Sequence, residues 1–226
     1  MLRLIRYLLI VVILCLGGLW GAAWLWREPD ESVADAFVRR VAGFAGPQGT
    51  SAPPAPGTVA MPPGVKLGGA FSLVDNTGKN VTEKDFAGRW LVVYFGYSFC
   101  PDVCPTELGN IAAAMDELGP QSEKITPVFI SVDPERDRPA NLNEYVALFH
   151  PRLVGLTGSI EQVTEVARRY RVYFRKETRT DNADYLMDHS SFIYLVGPDG
   201  MVKTVLRPQS SPETIAGAVR AQLRNL

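Results

Sequence analysis

"YFGYSFCPDVCPTELGN", Tyr94 to Asn110, holds two of the chain's three cysteines, Cys100 and Cys104. Each is followed by proline, directly after an apolar run and directly before a helix-forming stretch. Bridging cysteines across three residues removes little entropy from the unfolded chain, so a disulfide here would be a weak staple, and a working site explains the pair better. Positions four apart on a helix differ by about 40° in direction and their Cα atoms lie about 6 Å apart, which lets both thiols address one object. That object is either the other thiol, in a redox-active pair able to close a disulfide, or a metal ion. A helix N-terminus favours the thiolate form that both chemistries need.

Upstream, "AFSLVDNTGKNVT" predicts two short strands around the turn Asn76-Thr77-Gly78-Lys79, and "WLVVYFGY" (Trp90 to Tyr97) predicts a strand buried on both faces. Downstream, a helix in "PTELGNIAAAMDEL" leads to a second buried strand, "ITPVFISV" (Ile125 to Val132), and a helix in "PANLNEYVALF". A short "LVGLTG" segment, helical "SIEQVTEVARRY" and a polar loop "KETRTDNADYLMD" follow. "HSSFIYLVGPDGMVKTVL" reads as a hairpin turning at Gly197-Pro198-Asp199-Gly200, and "SPETIAGAVRAQL" closes with a helix capped by Ser211 or Ser210 ahead of Pro212. Strands alternating with helices and ending in a hairpin plus helix predict an α/β sandwich around a mixed sheet. One fold uses this order with a cysteine pair between its first buried strand and the next helix: the thioredoxin fold.

The chain has two histidines. His150, in "ALFHPRL", ends a helical stretch beside a proline and is expected to meet the negative end of the helix dipole. His189 is placed differently. In thioredoxin-like domains the residue just before the late strand, usually a cis-proline, packs against the cysteine site. Counting back from the Gly197–Gly200 turn puts Ser191 there and His189 two residues upstream. Cys100, Cys104 and His189 then make a soft three-donor site. Structural zinc usually takes four protein ligands, and no fourth is evident in the sequence. Two thiolates with an imidazole suit copper, Cu(I) by softness and Cu(II) with an additional donor. The three-residue spacer and the missing proline weigh against an ordinary Cys-x-x-Cys oxidoreductase. Asp188 is either the orienter of the other imidazole nitrogen or a solvated loop acid. "DPERD", Asp133 to Asp137, reads as a turn with polar backbone caps and local surface charge.

With 23 basic against 24 acidic side chains there is no bulk charge, which sets nucleic acid aside as a partner. The charge-free stretch from Tyr7 to Trp26 would be about 30 Å long as a helix, the thickness of a bilayer core. With tryptophans at positions 20, 24 and 26 it is expected to be an uncleaved single-pass transmembrane helix rather than a cut signal. Cys15 sits inside it as a small hydrophobe. Arg3 and Arg6 precede the span and Glu28, Asp30 and Glu31 follow it, so the positive-inside rule leaves the N-terminus in the cytoplasm. No Arg- and Ser-rich presequence precedes the span, which points to a bacterial inner (cytoplasmic) membrane with the domain in the periplasm or outside. "ESVADAFVRRVAGF" suits a short amphipathic helix, and "GPQGTSAPPAPGTVAMPPG" (Gly46 to Gly64) is too rich in Pro and Gly to pack. The expected organisation is an anchor over 1–27, a juxtamembrane segment and linker over 28–66, and a thioredoxin-like domain over 67–226.

In "FGYSFCPDVCPTEL", "FISVDPERD", "FHPRLVGLTG", "YRVYFRK" and "DHSSFIYLVGPDG" the chain resembles the Sco/SenC family of membrane-anchored copper proteins. The segments run in family order and cover roughly Leu67 to Leu223. The resemblance implies that Cys100, Cys104 and His189 bind copper, as Cu(I) and/or Cu(II). It also implies a metallochaperone that helps build the dinuclear copper centre in subunit II of cytochrome c oxidase, by delivering copper or by reducing the receiving cysteines. A copper donor and a thiol reductant would be its further partners. Phe99 stands where many relatives carry histidine, so an auxiliary donor is missing there. The rival reading is an extracytoplasmic thiol–disulfide oxidoreductase independent of copper, with Cys100 as the attacking thiol. A peroxidase of the peroxiredoxin type ranks below both, because Tyr97 occupies the position three before the cysteine where Thr or Ser belongs.

Overall fold

In the computed structural model the described residues are 57–62, 64–178 and 185–224, with positions 6–10, 13, 17–18 and 20–21 near the N-terminus. They belong to two compact units, residues 1–52 and 53–226. In the first unit the described positions are helical, and no described helix is long and apolar enough to cross a membrane. Most of the predicted anchor, Cys15 and the whole of the predicted juxtamembrane helix lie outside the described residues.

The described residues of the second unit form ten strands: β1 (Thr58–Val59), β2 (Ser72–Asp75), β3 (Asn80–Thr82), β4 (Trp90–Gly96), β5 (Ile125–Ser131), β6 (Val154–Thr157), β7 (Phe174–Thr178), β8 (Tyr185–His189), β9 (Ile193–Val196) and β10 (Val202–Leu206). Its α-helices are α1 (Val103–Leu118), α2 (Pro139–Ala147), α3 (Ile160–Tyr170) and α4 (Pro212–Leu223). Eight strands form one mixed sheet in the order β1-β10-β9-β4-β5-β6-β2-β3, and β7 pairs with β8 in a separate two-stranded sheet. β4, β5 and β6 run parallel, joined through α1 and α2, while β9 runs antiparallel to β4. This is the α/β sandwich of thioredoxin type that the element order predicts.

The apolar run of β4 explains its central place. All seven of its residues are buried, and the neighbouring β5 is buried at six of seven. Fully burying a Val, Leu or Phe side chain contributes about 1.5–3 kcal/mol, so this pair of strands is the most stabilising part of the sheet. The helix ends follow from local chemistry. Ser159 caps α3 by accepting from the Gln162 N–H, and Gln162 accepts in return from the Ser159 N–H. Ser211 caps α4 ahead of Pro212. α1 stops at Gly119, followed by Pro120, and is held against α4 by Arg220, whose guanidinium meets the Glu117 carboxylate at 2.8 Å.

Three sequence expectations change. First, the sheet reaches into the segment expected to be linker: Thr58 and Val59 pair with Leu206 and Val205, upstream of the Leu67 boundary. Composition hides this because the four residues between Gly57 and Pro62 retain the backbone N–H groups that a ladder needs. Second, α1 begins at Val103, so only Cys104 is helical and Cys100 precedes the helix in a loop, its N–H donating to the Tyr97 carbonyl at 3.2 Å. The i,i+4 helical geometry therefore does not apply. Third, "KETRTDNADYLMD" is not simply a loop: Lys176–Thr178 and Tyr185–Asp188 belong to the β7–β8 hairpin, and residues 179–184 lie outside the described residues.

Candidate metal centre

The site sits where β4 ends. Beyond Gly96 the chain turns through Tyr97, Ser98 and Phe99 to deliver Cys100, half-buried, and then enters α1 with Cys104 fully buried at its second position. Gly96 is glycine because nothing larger fits: a Cβ there would lie 2.8 Å from Cys104 Sγ and 2.9 Å from Phe129 Cε2. From the other side, β8 ends on His189, paired with Phe174 of β7. Its Nε2 stands 3.4 Å from Cys104 Sγ. The ligand atoms of Cys100, Cys104 and His189 all lie within 4.8 Å of one another, and both thiols are free. Among the described residues no other group of three or more Cys, His, Asp or Glu donors converges in this way.

The imidazole is oriented for ligation. Nδ1 lies 3.1 Å from the Ser190 carbonyl oxygen. A carbonyl only accepts, so Nδ1 carries the proton and the Nε2 lone pair faces the sulfurs. The rings of Tyr97 and Tyr94 stand edge-on to His189, with centroids at 5.8 and 6.3 Å. The Tyr94 hydroxyl reaches Cys104 Sγ at 3.8 Å. On the outer side the site opens into a cleft of about 410 Å³ lined by Tyr97, Cys100, Val103, Leu186, His189 and Ser191.

The thiols are electrostatically unequal. Cys100 is pulled down to about 3, first by the hydrogen bond from Cys104, then, against the opposing cost of burial, by the N–H groups of Asp102 and Cys104. Cys104 is pushed up by the same hydrogen bond and by burial. The pair thus shares one proton, with the thiolate on the more exposed Cys100 and the proton on the buried Cys104. Burial also pushes the Tyr97 phenol up to about 12, so it stays neutral, with its oxygen accepting from the Met187 N–H.

Cys100, Cys104 and His189 are therefore brought together, while His150 is not part of the cluster. Its Nδ1 accepts from the Arg152 N–H at 3.0 Å, and burial together with Arg152 lowers its pKa. α2 ends at Ala147, so His150 is a neutral turn cap beyond the helix and not a cation at its end. Asp188 is solvated and sits opposite Arg175, and the orienter of His189 is the Ser190 carbonyl.

The larger departure is "DPERD". Asp133 and Asp137 are buried, not surface charge. Asp137 accepts from the Ser98 N–H at 3.0 Å, from the Ser98 hydroxyl and from the Ser131 hydroxyl, tying the cysteine loop to the end of β5. Arg136 pairs with Asp133 and donates to the Tyr185 carbonyl at 3.1 Å. No periodicity marks this network in the sequence; the only signal was three acids and an arginine directly after an apolar strand.

The SCO1/SenC family model matches residues 59–224. The Arabidopsis thaliana mitochondrial SCO1 homolog 1 is 52% identical over 134 residues, covering 59% of this chain and 40% of the relative. The human mitochondrial SCO1 homolog is 43% identical over 160 residues, covering 70% and 53%. The chain thus spans about half the length of these curated relatives. Among solved structures, Arabidopsis thaliana ScoI with copper bound superposes with a TM-score of 0.67 at 45% identity, covering 71% of this chain and 99% of that one. BsSco, described as a member of the Sco family of cytochrome c oxidase assembly proteins with a disulfide switch, gives 0.55 at 25% identity, covering 72% and 96%. The mitochondrial relatives overturn the expected bacterial inner membrane, and no described helix is long and apolar enough to cross a membrane. That expectation rested on a missing presequence, a negative signal that carries no address of its own. A matched model over most of the folded unit and relatives above forty per cent identity converge on one assignment: the chain belongs to the SCO1/SenC family.

Proposed function

We propose that this chain binds copper through Cys100, Cys104 and His189 and serves assembly of the dinuclear copper centre in subunit II of cytochrome c oxidase. The observation that carries the reading is the convergence of two sulfurs and one oriented imidazole nitrogen within 4.8 Å. The donor set fits the ion: one sulfur is already ionised, the second loses its proton to a bound metal, and the Nε2 lone pair faces both. Soft thiolates favour Cu(I), and the imidazole supports Cu(II). Copper here is cargo, passed to the receiving cysteines by exchange of one ligand at a time. In this reading residues 1–27 anchor the chain to a membrane and the segment from residue 28 to the start of the folded unit is the tether. The charge-free run from Tyr7 to Trp26 and the Pro- and Gly-rich stretch after it support that organisation.

A second reading is favoured by the ionised thiol of Cys100. As a thiolate it can attack a disulfide in the partner, after which Cys104 resolves the mixed disulfide. The partner gains two electrons and two reduced thiols while Cys100 and Cys104 form a disulfide, which an external thiol reductant then reopens. Copper transfer and thiol reduction separate at His189. Copper-loaded protein mixed with the metal-free soluble domain of subunit II is expected to generate the absorption of the dinuclear centre, and His189→Ala is expected to lose that transfer while still reducing the partner's disulfide. Equal transfer by His189→Ala and by the wild type would remove His189 from the site, and no transfer by the wild type would remove the copper role.

A further inference from the structure

The metal donors come from two pieces of chain that adjoin neighbouring strands of the main sheet, the cysteines just after β4 and His189 four residues before β9. Cys100 and Cys104 follow β4 at the centre of the eight-stranded sheet, whereas His189 ends a hairpin that forms its own two-stranded sheet. The hairpin that ends on His189 is not itself paired to that sheet, so its side-chain contacts with the cysteine loop fix how the imidazole meets the sulfurs. Arg136, from the loop after β5, touches both. The Arg136 guanidinium lies 3.7 Å from the centre of the Tyr185 ring, 4.7 Å from that of Phe99 and 5.7 Å from that of Tyr97. Its Nη1 donates to the Tyr185 backbone carbonyl at 3.1 Å, and its Nε pairs with Asp133. The Tyr185 hydroxyl closes the ring of contacts by donating to the other Asp133 oxygen at 2.8 Å. Tyr185 is on β8, four residues before His189, while Tyr97 and Phe99 lie on the loop that carries Cys100.

We propose that Arg136 is the positioning residue that sets His189 against the two thiols, by clamping the hairpin and the cysteine loop on one guanidinium. Its chemistry suits the task. A planar, permanently charged fork can stack on an aromatic face while donating in its own plane to a carbonyl and a carboxylate, which an ammonium cannot do. Asp133 and its neighbour Asp137 anchor the clamp to the end of β5, Asp137 through Ser98 and Ser131. The neighbouring Lys176–Glu135 pair also joins the hairpin to this loop, and Lys176 Nζ lies 3.7 Å from the centre of the Tyr185 ring, but both side chains are exposed and reach the hairpin from solvent. Arg136 never touches the metal; it acts through the placement of the imidazole. The inference rests on Cys100, Cys104 and His189 being the metal site, and its first readout needs no metal.

The test compares the full-length reduced chain with Arg136→Lys, Tyr185→Leu and, as a control, Lys176→Met. In the metal-free proteins at pH 8, NMR reads the ring protons of His189 and their cross-peaks to Tyr97. Wild type and Lys176→Met are expected to show shifts displaced by the edge-on tyrosines, with cross-peaks to Tyr97. Arg136→Lys and Tyr185→Leu are expected to move toward free-histidine shifts and lose the cross-peaks while keeping the wild-type circular dichroism. With Cu(II) added, both are expected to bind about 10- to 100-fold more weakly, the range that loss of a ligand's supporting contacts produces. Wild-type His189 shifts and cross-peaks in folded Arg136→Lys would overturn the clamp, whatever copper does. If the shifts move as expected but the wild type binds no copper, the clamp stands and the copper reading falls.

Discussion

Gly96→Ala strikes the metal centre from below. The backbone at Gly96 lies outside the left-handed region, so the substitution carries no conformational penalty and its cost is purely one of space. The new Cβ would sit 2.8 Å from Cys104 Sγ, 2.9 Å from Phe129 Cε2 and 3.0 Å from Tyr94 Cε1. Carbon contacts are comfortable at about 3.5–4.0 Å, so each neighbour must retreat by about 0.5–1 Å. All three are fully buried. Overpacking of this kind costs about 1–3 kcal/mol, and at about 2–4 °C per kcal/mol for a domain of this size Tm falls by about 2–12 °C. The sulfur is the least anchored of the three atoms, so Cys104 takes up much of the displacement, and copper affinity is expected to fall about tenfold for each 1.4 kcal/mol of strain carried by the ligand. Gly109→Ala, on the exposed face of α1 with open space around it, is the matched control and is expected to stabilise by about 0.5–1 kcal/mol without changing copper binding. Calorimetry and a competition titration of copper on both variants read the two effects. Wild-type Tm together with wild-type copper affinity in Gly96→Ala would refute the close approach of β4 to the sulfur.

Two further outcomes follow from the ionisation states. Cys100 is held near 3, so its alkylation by iodoacetamide in the metal-free reduced chain is expected to be nearly flat from about pH 5 to 8, whereas an ordinary thiol loses about tenfold per pH unit below its pKa; a rate climbing tenfold per unit through pH 7 would contradict the shared-proton pair. Glu107, buried on α1 with only its Oε1 bonded, by the Gln209 N–H, has its carboxyl pushed up by burial. A raised folded pKa gives stability that is full below the unfolded value and is lost as pH rises through the folded value. The Tm of Glu107→Gln relative to wild type is therefore expected to rise as the pH rises above the ordinary carboxylate range, and a constant difference from there upward would show that Glu107 is not strained by ionisation.

The strands β4 and β5 were legible because burial on both faces leaves an unbroken apolar run, and α3 and α4 because serine caps announce them. The Cys100–Cys104–His189 grouping was legible through fold order alone: the cysteines follow the first buried strand and the histidine precedes the late hairpin. Two things were not. β1 hid in a Pro- and Gly-rich stretch because two residues of ladder leave no periodicity, and its strand partner is the distant β10. The Asp133–Asp137 loop hid because charged residues after a strand ordinarily mean solvent. Here Asp137 finds three donors, and Arg136 finds aromatic rings contributed by residues about 40 and 50 positions away, a compensation that no local window contains.

The most direct measurement is the copper content and spectrum of the full-length chain, reduced and loaded without air, beside Cys100→Ser, Cys104→Ser and His189→Ala. About one copper per chain is expected, with sulfur-to-Cu(II) charge-transfer bands that collapse in either serine variant and shift or disappear in His189→Ala. No retained copper in any of the four, with a reversible Cys100–Cys104 disulfide and undiminished thiol exchange in His189→Ala, would make the pair a redox centre and contradict the copper site.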